Sequence, residues 1–325
     1  MNILIAGGSG QVGTILVRSF QADGHQVSVL SRKVHAMPYR TVAWNARTLG
    51  DWTNEIEKAD VVINLAGRSV NCRYNSKNRK EILESRVHST RIIGESIAQT
   101  SNPPRLWLQM STATIYAHRF DAPNDEFMGV IGGNEPDVPE TWRFSIEVAK
   151  EWERAVDEAV TPQTRKIKMR SAMVMSPDAG GIFDTLLTLV KRRLGGTAGD
   201  GKQYVSWIHY EDFVRAVYRL IEDDEMEGVV NLAAPHPVPN SEFMSELRKA
   251  CGISFGLPAT KLMLEIGAIF MKTETELILK SRRVVPKKLL DAGFNFKFET
   301  WQEAANALCH NKVGTPIAYQ TRKGI

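Results

Sequence analysis

The sequence predicts an α/β protein, a doubly wound parallel sheet with a smaller C-terminal substrate lobe. Three observations lead there. The chain opens with a short apolar run, then spaced glycines, then an amphipathic helical pattern ("NILIAGGSGQVGTILVRSF"). Similar apolar runs recur between helical stretches, in "ADVVINLAG" (59–67), "RLWLQMS" (105–111) and "KIKMRSAMVMSP". From about Pro235 that alternation gives way to proline-rich turns and amphipathic helices. Continuous apolar runs bounded by small residues read as strands buried on both faces, and strands alternating with helices imply a parallel sheet.

The first element carries the strongest local signal. Gly7, Gly10 and Gly13 follow the strand at three-residue spacing, and Val12, Ile15, Leu16 and Phe20 form one helical face. Gly7 permits a tight turn. Gly10 leaves room for backbone to approach a pyrophosphate, and Gly13 lets the helix pack closely. The amides at the helix start, around Gln11 and Val12, offer unpaired donors and about half a positive charge to phosphates. A glycine turn with no ligand is the bland alternative.

The second strand, "QVSVLSRK", ends at Ser31, Arg32 and Lys33. In dinucleotide folds an acidic residue here binds the ribose 2′-hydroxyl. With Arg32 in its place, a charge-assisted bond to a 2′-phosphate contributes about 1.5–3 kcal/mol, which favours NADP over NAD. A solvated arginine at a strand end is the competing reading. The strand of 59–67 ends in Leu65, Ala66 and Gly67, small enough for a ligand to lie against the backbone. A long polar helix follows, about "SKNRKEILESRVHSTRIIGESIAQ", with Ile82, Val87, Ile92, Ile93 and Ile97 inward. Residues 1–175 are expected to form the dinucleotide-binding domain, to which the chain returns at about 207–234. Segments 176–206 and 235–325 make the smaller lobe, and "LMLEIGAIFM" (262–271) is expected in its core.

Bulk properties narrow the function. The chain has 325 residues, 43% hydrophobic and 24% charged, with a net charge of +4 and scattered basic residues. That composition fits a globular protein and argues against a nucleic-acid partner. Cys72, Cys251 and Cys309 are too few and too widely spaced for a disulfide framework, which fits a reducing, cytoplasmic setting. No apolar run is long enough to span a membrane. Seven scattered histidines and no cysteine pair at metal-ligand spacing argue against a metal site. A monomer or homodimer with a small-molecule substrate is expected.

Several longer stretches are specific. "GGSGQVG", "NLAG", "STATIY", "RSAMVMSP" and "SWIHYEDFVRAV" resemble the extended short-chain dehydrogenase/reductase superfamily. "ESR" (84–86), "EWE" (151–153), "LGGTAGDGKQYVSWIHYED", "VVNLAAPHPVPNSEF" and "VVPKKLLDAGFNFKF" are similar to its atypical "epimerase family protein" group. The resemblance spans nearly the whole chain. It implies a Rossmann-like fold, NADP binding and a substrate lobe that includes a C-terminal domain of unknown function. It also implies a three-residue site: a Ser or Thr that bonds the substrate oxygen, a Tyr that handles the proton, and a Lys four residues later on the nicotinamide ribose. Thr112 matches the first, with Ser111 beside it, and Lys150 matches the lysine. Ile146 stands in the tyrosine position and does not titrate. Residues 143–159 are helix-prone, so Ile146 and Lys150 share a face; an exposed lysine among Glu147, Glu151 and Glu153 is the alternative.

Other donors are therefore of interest. Tyr116 lies close to Thr112, though an aromatic there also serves as packing. Cys72 and Tyr74 follow "NLAG" and could face a substrate. His209 opens the helix after "SWI", either as a donor or as a tie to Glu211 or a carbonyl. Arg86 occupies a helix position where an anionic substrate group or the lysine's water network could be held. Gln203 and Trp207 are candidates for ligand contact, with Trp207 as core an equal reading. Two functions remain open at this level: an NADP(H)-dependent oxidoreductase or epimerase-like enzyme on a small carbonyl, alcohol or nucleotide sugar, and a non-catalytic NADP-binding redox sensor or scaffold.

Overall fold

The structure is a computed structural model that describes residues 1–34, 37–261, 263–265 and 274–310. Most of the expected apolar segment 262–271 lies outside the described residues. In chain order the elements are β1 (Asn2–Ala6), α1 (Gln11–Ala22), β2 (Gln26–Ser31), β3 (Arg40–Ala43), α2 (Asn54–Lys58), β4 (Val61–Asn64), α3 (Ser76–Gln99), β5 (Leu106–Thr112), α4 (Glu140–Asp157), β6 (Arg165–Ser171) and β7 (Met173–Met175). The chain continues through α5 (Ile182–Lys191), β8 (Tyr204–Val205), β9 (Trp207–His209), α6 (Tyr210–Glu222), β10 (Gly228–Leu232), β11 (Val238–Pro239), α7 (Asn240–Ala250), α8 (Glu276–Leu279), α9 (Lys287–Asp291) and α10 (Trp301–His310).

Seven strands form one parallel sheet in the order β3-β2-β1-β4-β5-β6-β10. Order reverses between β1 and β4, and a ligand crevice is expected there, at the carboxyl ends of the strands. The runs that read as continuous apolar strands are buried on both faces: β4 is buried at every position, and Ile3 to Ala6 of β1 are at most 1% exposed. Asn75 starts α3 by accepting the Asn78 amide on its side chain, so the helix begins where an N-cap residue stands.

One cluster of buried side chains runs from β1 and α1 through α5, α6 and α7 to Trp301 and Leu308 of α10. A second fills the other sheet face around Trp52, Ile93 and Trp107. Hydrophobic burial of this extent is the main force holding the layers together. Polar anchors fix their register. Glu153 of α4 grips Arg170 of β6 through two hydrogen bonds of 2.8 and 2.7 Å, and Ser111 of β5 donates to the same carboxylate at 2.6 Å. The Arg170 guanidinium also lies 4.9 Å from the Tyr116 ring centre.

The smaller sheets, β11 with β8 and β7 with β9, carry the chain away from the main sheet. Segment 274–285 is laced to the loop after β5: Asn124 pairs with Arg283 and Val285 through backbone bonds, and the Lys280 ammonium donates to the Thr114 carbonyl at 2.7 Å. The sulfurs of Cys251 and Cys309 lie 3.0 Å apart as thiols, a contact that a separation of 58 positions conceals in the sequence.

Removing one partner of a buried ion pair leaves the other charge without compensation. Glu153→Ala is expected to lower unfolding stability by about 3–5 kcal/mol, read as a fall in the urea midpoint; an unchanged midpoint would show that Arg170 finds another partner.

Candidate functional site: a dinucleotide crevice and an adjoining cavity

The crevice is built from two turns at the ends of β1 and β4. Gly7 has a positive φ of 77°, and a Cβ there would sit 2.9 Å from the Ala66 backbone. Only glycine meets both demands. Gly13 packs α1 onto the turn itself, since its Cβ would lie 2.5 Å from Gly8. Gly10, the N-cap, has only the Gly7 carbonyl near its missing Cβ, at 3.5 Å, so space opens above it. No side chain caps α1, and no acidic residue stands in its first turn. The amides of Gln11, Val12 and Gly13 therefore remain available to an anion. Gln11 adds a buried Nε2 with no hydrogen-bond partner. It is packed so tightly on Gly181 that a Cβ there would lie 1.8 Å away. An orphaned buried donor beside an uncapped helix start fits a phosphate acceptor.

At the tip of β2, Ser31 is buried and its hydroxyl donates to the Lys33 carbonyl, shaping the turn. Arg32 projects exposed from that turn, and no described residue bonds its guanidinium. On the other side, Leu65 continues the strand, its amide donating to the Ala6 carbonyl, and the Asn64 side chain accepts the Ala66 amide at 3.0 Å. Asn64 is itself tied to Gln109, a buried polar layer beneath the crevice that no spacing rule announced. Gly67 lies against Arg86: a Cβ there would be 3.1 Å from the guanidinium carbon.

Beside this crevice is a cavity of about 110 Å³. Its walls come from the loop after β4 (Val70, Tyr74), α3 (Ile82, Arg86), the end of β5 (Thr112, Thr114), α4 (Phe144, Ser145, Val148, Trp152) and Glu276 of α8. Arg86 donates to the carbonyls of Arg68 and Ile82 and stacks 5.0 Å over the Trp152 ring. Burial pushes its guanidinium down to about 10, and among the described residues no carboxylate pairs with it. Ser145 Oγ contacts the Glu276 carboxyl at 2.5 Å and the Tyr74 hydroxyl at 3.4 Å. Burial, followed by the neighbouring Glu276, raises the Tyr74 phenol to about 12.

The sequence candidates separate accordingly. Thr112, Tyr74 and Arg86 meet in the cavity. Ile146 and Lys150 do share a face of α4, but it turns to the loop at Gly132–Gly133: Ile146 is fully buried beneath it, and the Lys150 ammonium lies 3.6 Å from the position of a Gly133 Cβ. Lys150 is not among the cavity walls. Ser111 and Tyr116 stand outside the cavity. Ser111 is buried on Glu153, and the Tyr116 hydroxyl donates to Asn231 at 2.9 Å beneath the turn, so both serve packing. Cys72 is half-buried with its thiol toward the Ser69 carbonyl. Gln203 ties the Ala198 carbonyl to that of Ile278, and Trp207 is core. His209 is the N-cap of α6: Nδ1 accepts the Glu211 amide at 3.2 Å, Phe298 covers the ring at 3.9 Å, and burial pushes the imidazole down to about 3.

Comparison with known proteins agrees with the fold. Residues 3–136 match the NAD dependent epimerase/dehydratase family, and 259–308 match a domain of unknown function, DUF1731. A Bos taurus relative, epimerase family protein SDR39U1, is 30% identical over 302 residues, which is 92% of this chain and 96% of that protein. The chain belongs to this epimerase family. A Staphylococcus epidermidis member, epimerase family protein SERP0438, is 28% identical over 94% of this chain and 98% of its own length. The crystal structure of human epimerase family protein SDR39U1 with NADPH superposes with a TM-score of 0.83 at 27% identity, covering 96% of this chain and 100% of that one. Membership supports an NAD(P)-dependent, epimerase-like oxidoreductase on a Rossmann-like fold. Among the described residues no helix is long and apolar enough to cross a membrane, and no His, Cys, Asp and Glu cluster would hold a metal.

The buried neutral His209 has a stability consequence. Folded, it stays neutral to about pH 3; unfolded, it protonates below about 6.5. Its contribution is therefore complete above pH 6.5 and is lost as the pH falls toward 3, by at most about 1.4 kcal/mol per pH unit. Asn also caps helices. His209→Asn is expected to flatten the acid slope of the urea midpoint, and parallel slopes in the two proteins would contradict this.

Proposed function

We propose that the protein is an NADP(H)-dependent oxidoreductase acting on a small carbonyl or alcohol that bears an anionic group. The observation that carries this reading is the cavity itself, which sets Thr112, Ser145 and Arg86 around one small volume at the carboxyl ends of the strands. About 110 Å³ is well below the roughly 300–1,000 Å³ of pockets that enclose drug-sized ligands. It suits a few heavy atoms and argues against enclosing a nucleotide sugar. The walls are mainly apolar, so a bound oxygen would meet Thr112 and Ser145 with little water to compete. Arg86, a half-buried cation without a described carboxylate, favours a substrate that supplies the negative charge, because an uncompensated buried charge is costly.

The crevice residues fit NADP. The amides of Gln11 and Val12 and the Gln11 side chain would hold the pyrophosphate, and Arg32 the 2′-phosphate. Leu65, Ala66 and Gly67 would lie along the nicotinamide half. When bound, NADPH supplies a hydride. The protein's residues orient the carbonyl, exclude water and deliver a proton to its oxygen. The complete burial of Ile146 favours a second reading, a cofactor-binding sensor or scaffold with no turnover.

Fluorescence titration with NADPH and NADH checks the cofactor assignment. Arg32→Ala is expected to weaken NADPH binding by about ten- to a hundredfold, from the 1.5–3 kcal/mol of a charge-assisted bond, with little change for NADH. Equal losses for both would place Arg32 away from the 2′-phosphate. Stopped-flow absorbance with NADPH and paired panels of short ketones and their 2-oxo acid counterparts checks the chemistry. Faster turnover of the 2-oxo acids is expected, whereas NADPH binding with no turnover on either panel would favour the sensor.

A further inference from the structure

We infer that Ser145 and Glu276 together perform the proton transfer for which position 146 has no acid, with Ser145 touching the substrate oxygen and Glu276 supplying it through their shared hydrogen bond. This rests on the oxidoreductase reading above and names the proton path for that same site.

Both residues line the cavity, together with Thr112. Ser145 immediately precedes Ile146 and follows the face of α4 that carries Val148 and Trp152, three and seven positions on. It thus points into the cavity while Ile146 packs beneath the Gly132–Gly133 loop. Glu276 comes from α8, in the C-terminal lobe, and is fully buried. One of its oxygens, Oε2, meets Ser145 Oγ at 2.5 Å, while Oε1 has no hydrogen bond and lies 3.7 Å from Arg282 Nη2. Oε1 is thus ion-paired with Arg282, and Oε2 is the oxygen that meets the Ser145 hydroxyl. Arg282 already anchors this segment, through Thr114 Oγ1 and the carbonyls of Glu276 and Lys280.

The groups around Glu276 are Tyr74 from the loop after β4, Ser145 from α4, and Glu274, Lys280 and Arg282 from its own segment; Arg86 lines the same cavity. Burial raises the Glu276 carboxyl above the usual range despite Arg282, Ser145 and Lys280, which act the other way. Burial also lowers the Lys280 ammonium, with Arg282 adding to the shift. Tyr74, raised to about 12, meets Ser145 Oγ only at 3.4 Å, against 2.5 Å for Glu276.

In reduction, the carbonyl carbon gains a hydride from the reduced nicotinamide cofactor, which is oxidised. The Ser145 O–H bond breaks as the substrate oxygen gains its proton. The Glu276 Oε2–H proton moves to Oγ and restores the hydroxyl. The carboxylate left behind faces Arg282 and is reprotonated from solvent after product leaves. Ser145 is catalytic in this scheme, and Glu276 is a positioning and proton-supplying residue acting through it.

The test uses the full-length protein with NADPH, the carbonyl panels above, Glu276→Gln, Glu276→Asp and Ser145→Ala. Infrared difference spectroscopy at neutral pH is expected to show a protonated-carboxyl band in the native protein that Glu276→Gln removes. On any carbonyl turned over, native kcat is expected to fall as pH rises through the Glu276 pKa. Glu276→Gln is expected to lose about 10²–10⁴-fold in kcat, with a flat profile over that range and unchanged NADPH affinity. Glu276→Asp restores part of the rate, and Ser145→Ala loses rate while keeping the band. Absence of the band, native-like kcat in Glu276→Gln, or loss of NADPH affinity in both Glu276 variants would each overturn the inference. Failure of the oxidoreductase reading looks different: native protein that binds NADPH turns over nothing on either panel, and the proton path then falls with it.

Discussion

The site depends on how closely two turns approach. Gly7 at the end of β1 lies against Ala66 at the end of β4, with no space for a Cβ between them. That contact lies where the sheet's order reverses, beside the uncapped start of α1. It also aligns the Gly67 backbone with Arg86, and through Arg86 with the cavity. A wider turn at Gly7 would separate the phosphate-binding amides from the groups that face the substrate.

The second constraint is electrostatic. The cavity concentrates ionisable groups in surroundings with little water: Arg86 over Trp152, Glu276 against Ser145, and Lys280 and Arg282 bonded to Thr114. Such an arrangement is costly for folding unless every charge finds a partner or a function. Arg282 is held by a hydroxyl and backbone carbonyls. Arg86 has carbonyls and a ring but no described counter-ion, and one Glu276 oxygen lacks a hydrogen bond. Arg86 and Glu276 both line the cavity, consistent with strain retained where chemistry occurs. The C-terminal segment contributes the Glu276 carboxyl to the cavity wall.

Much of the fold was legible in the chain. The glycine spacing and the period of Val12, Ile15 and Leu16 located α1, and the long helix of 76–99 has the expected bounds. Local periodicity and turn chemistry determine such elements. The short β3, edging the sheet with half-exposed residues, has no apolar run to mark it. At the site, Thr112 and Arg86 were readable because a resemblance placed them. Tyr116 and His209 could each be read as a donor or as a packing or tying group. The structure favours the second reading, with Tyr116 bonded to Asn231 and His209 capping a helix at the Glu211 amide. Glu276 gave no signal: it is 131 residues from Ser145, and nothing in its neighbours' spacing points across that gap. The Cys251–Cys309 contact was hidden for the same reason.

A crystal structure of the protein grown with NADPH is the most direct test of this arrangement. The pyrophosphate should rest on the amides of Gln11 and Val12, with the nicotinamide ring turned toward Thr112 and Ser145. A dinucleotide bound elsewhere, or a crevice filled by the protein's own side chains at saturating NADPH, would contradict it.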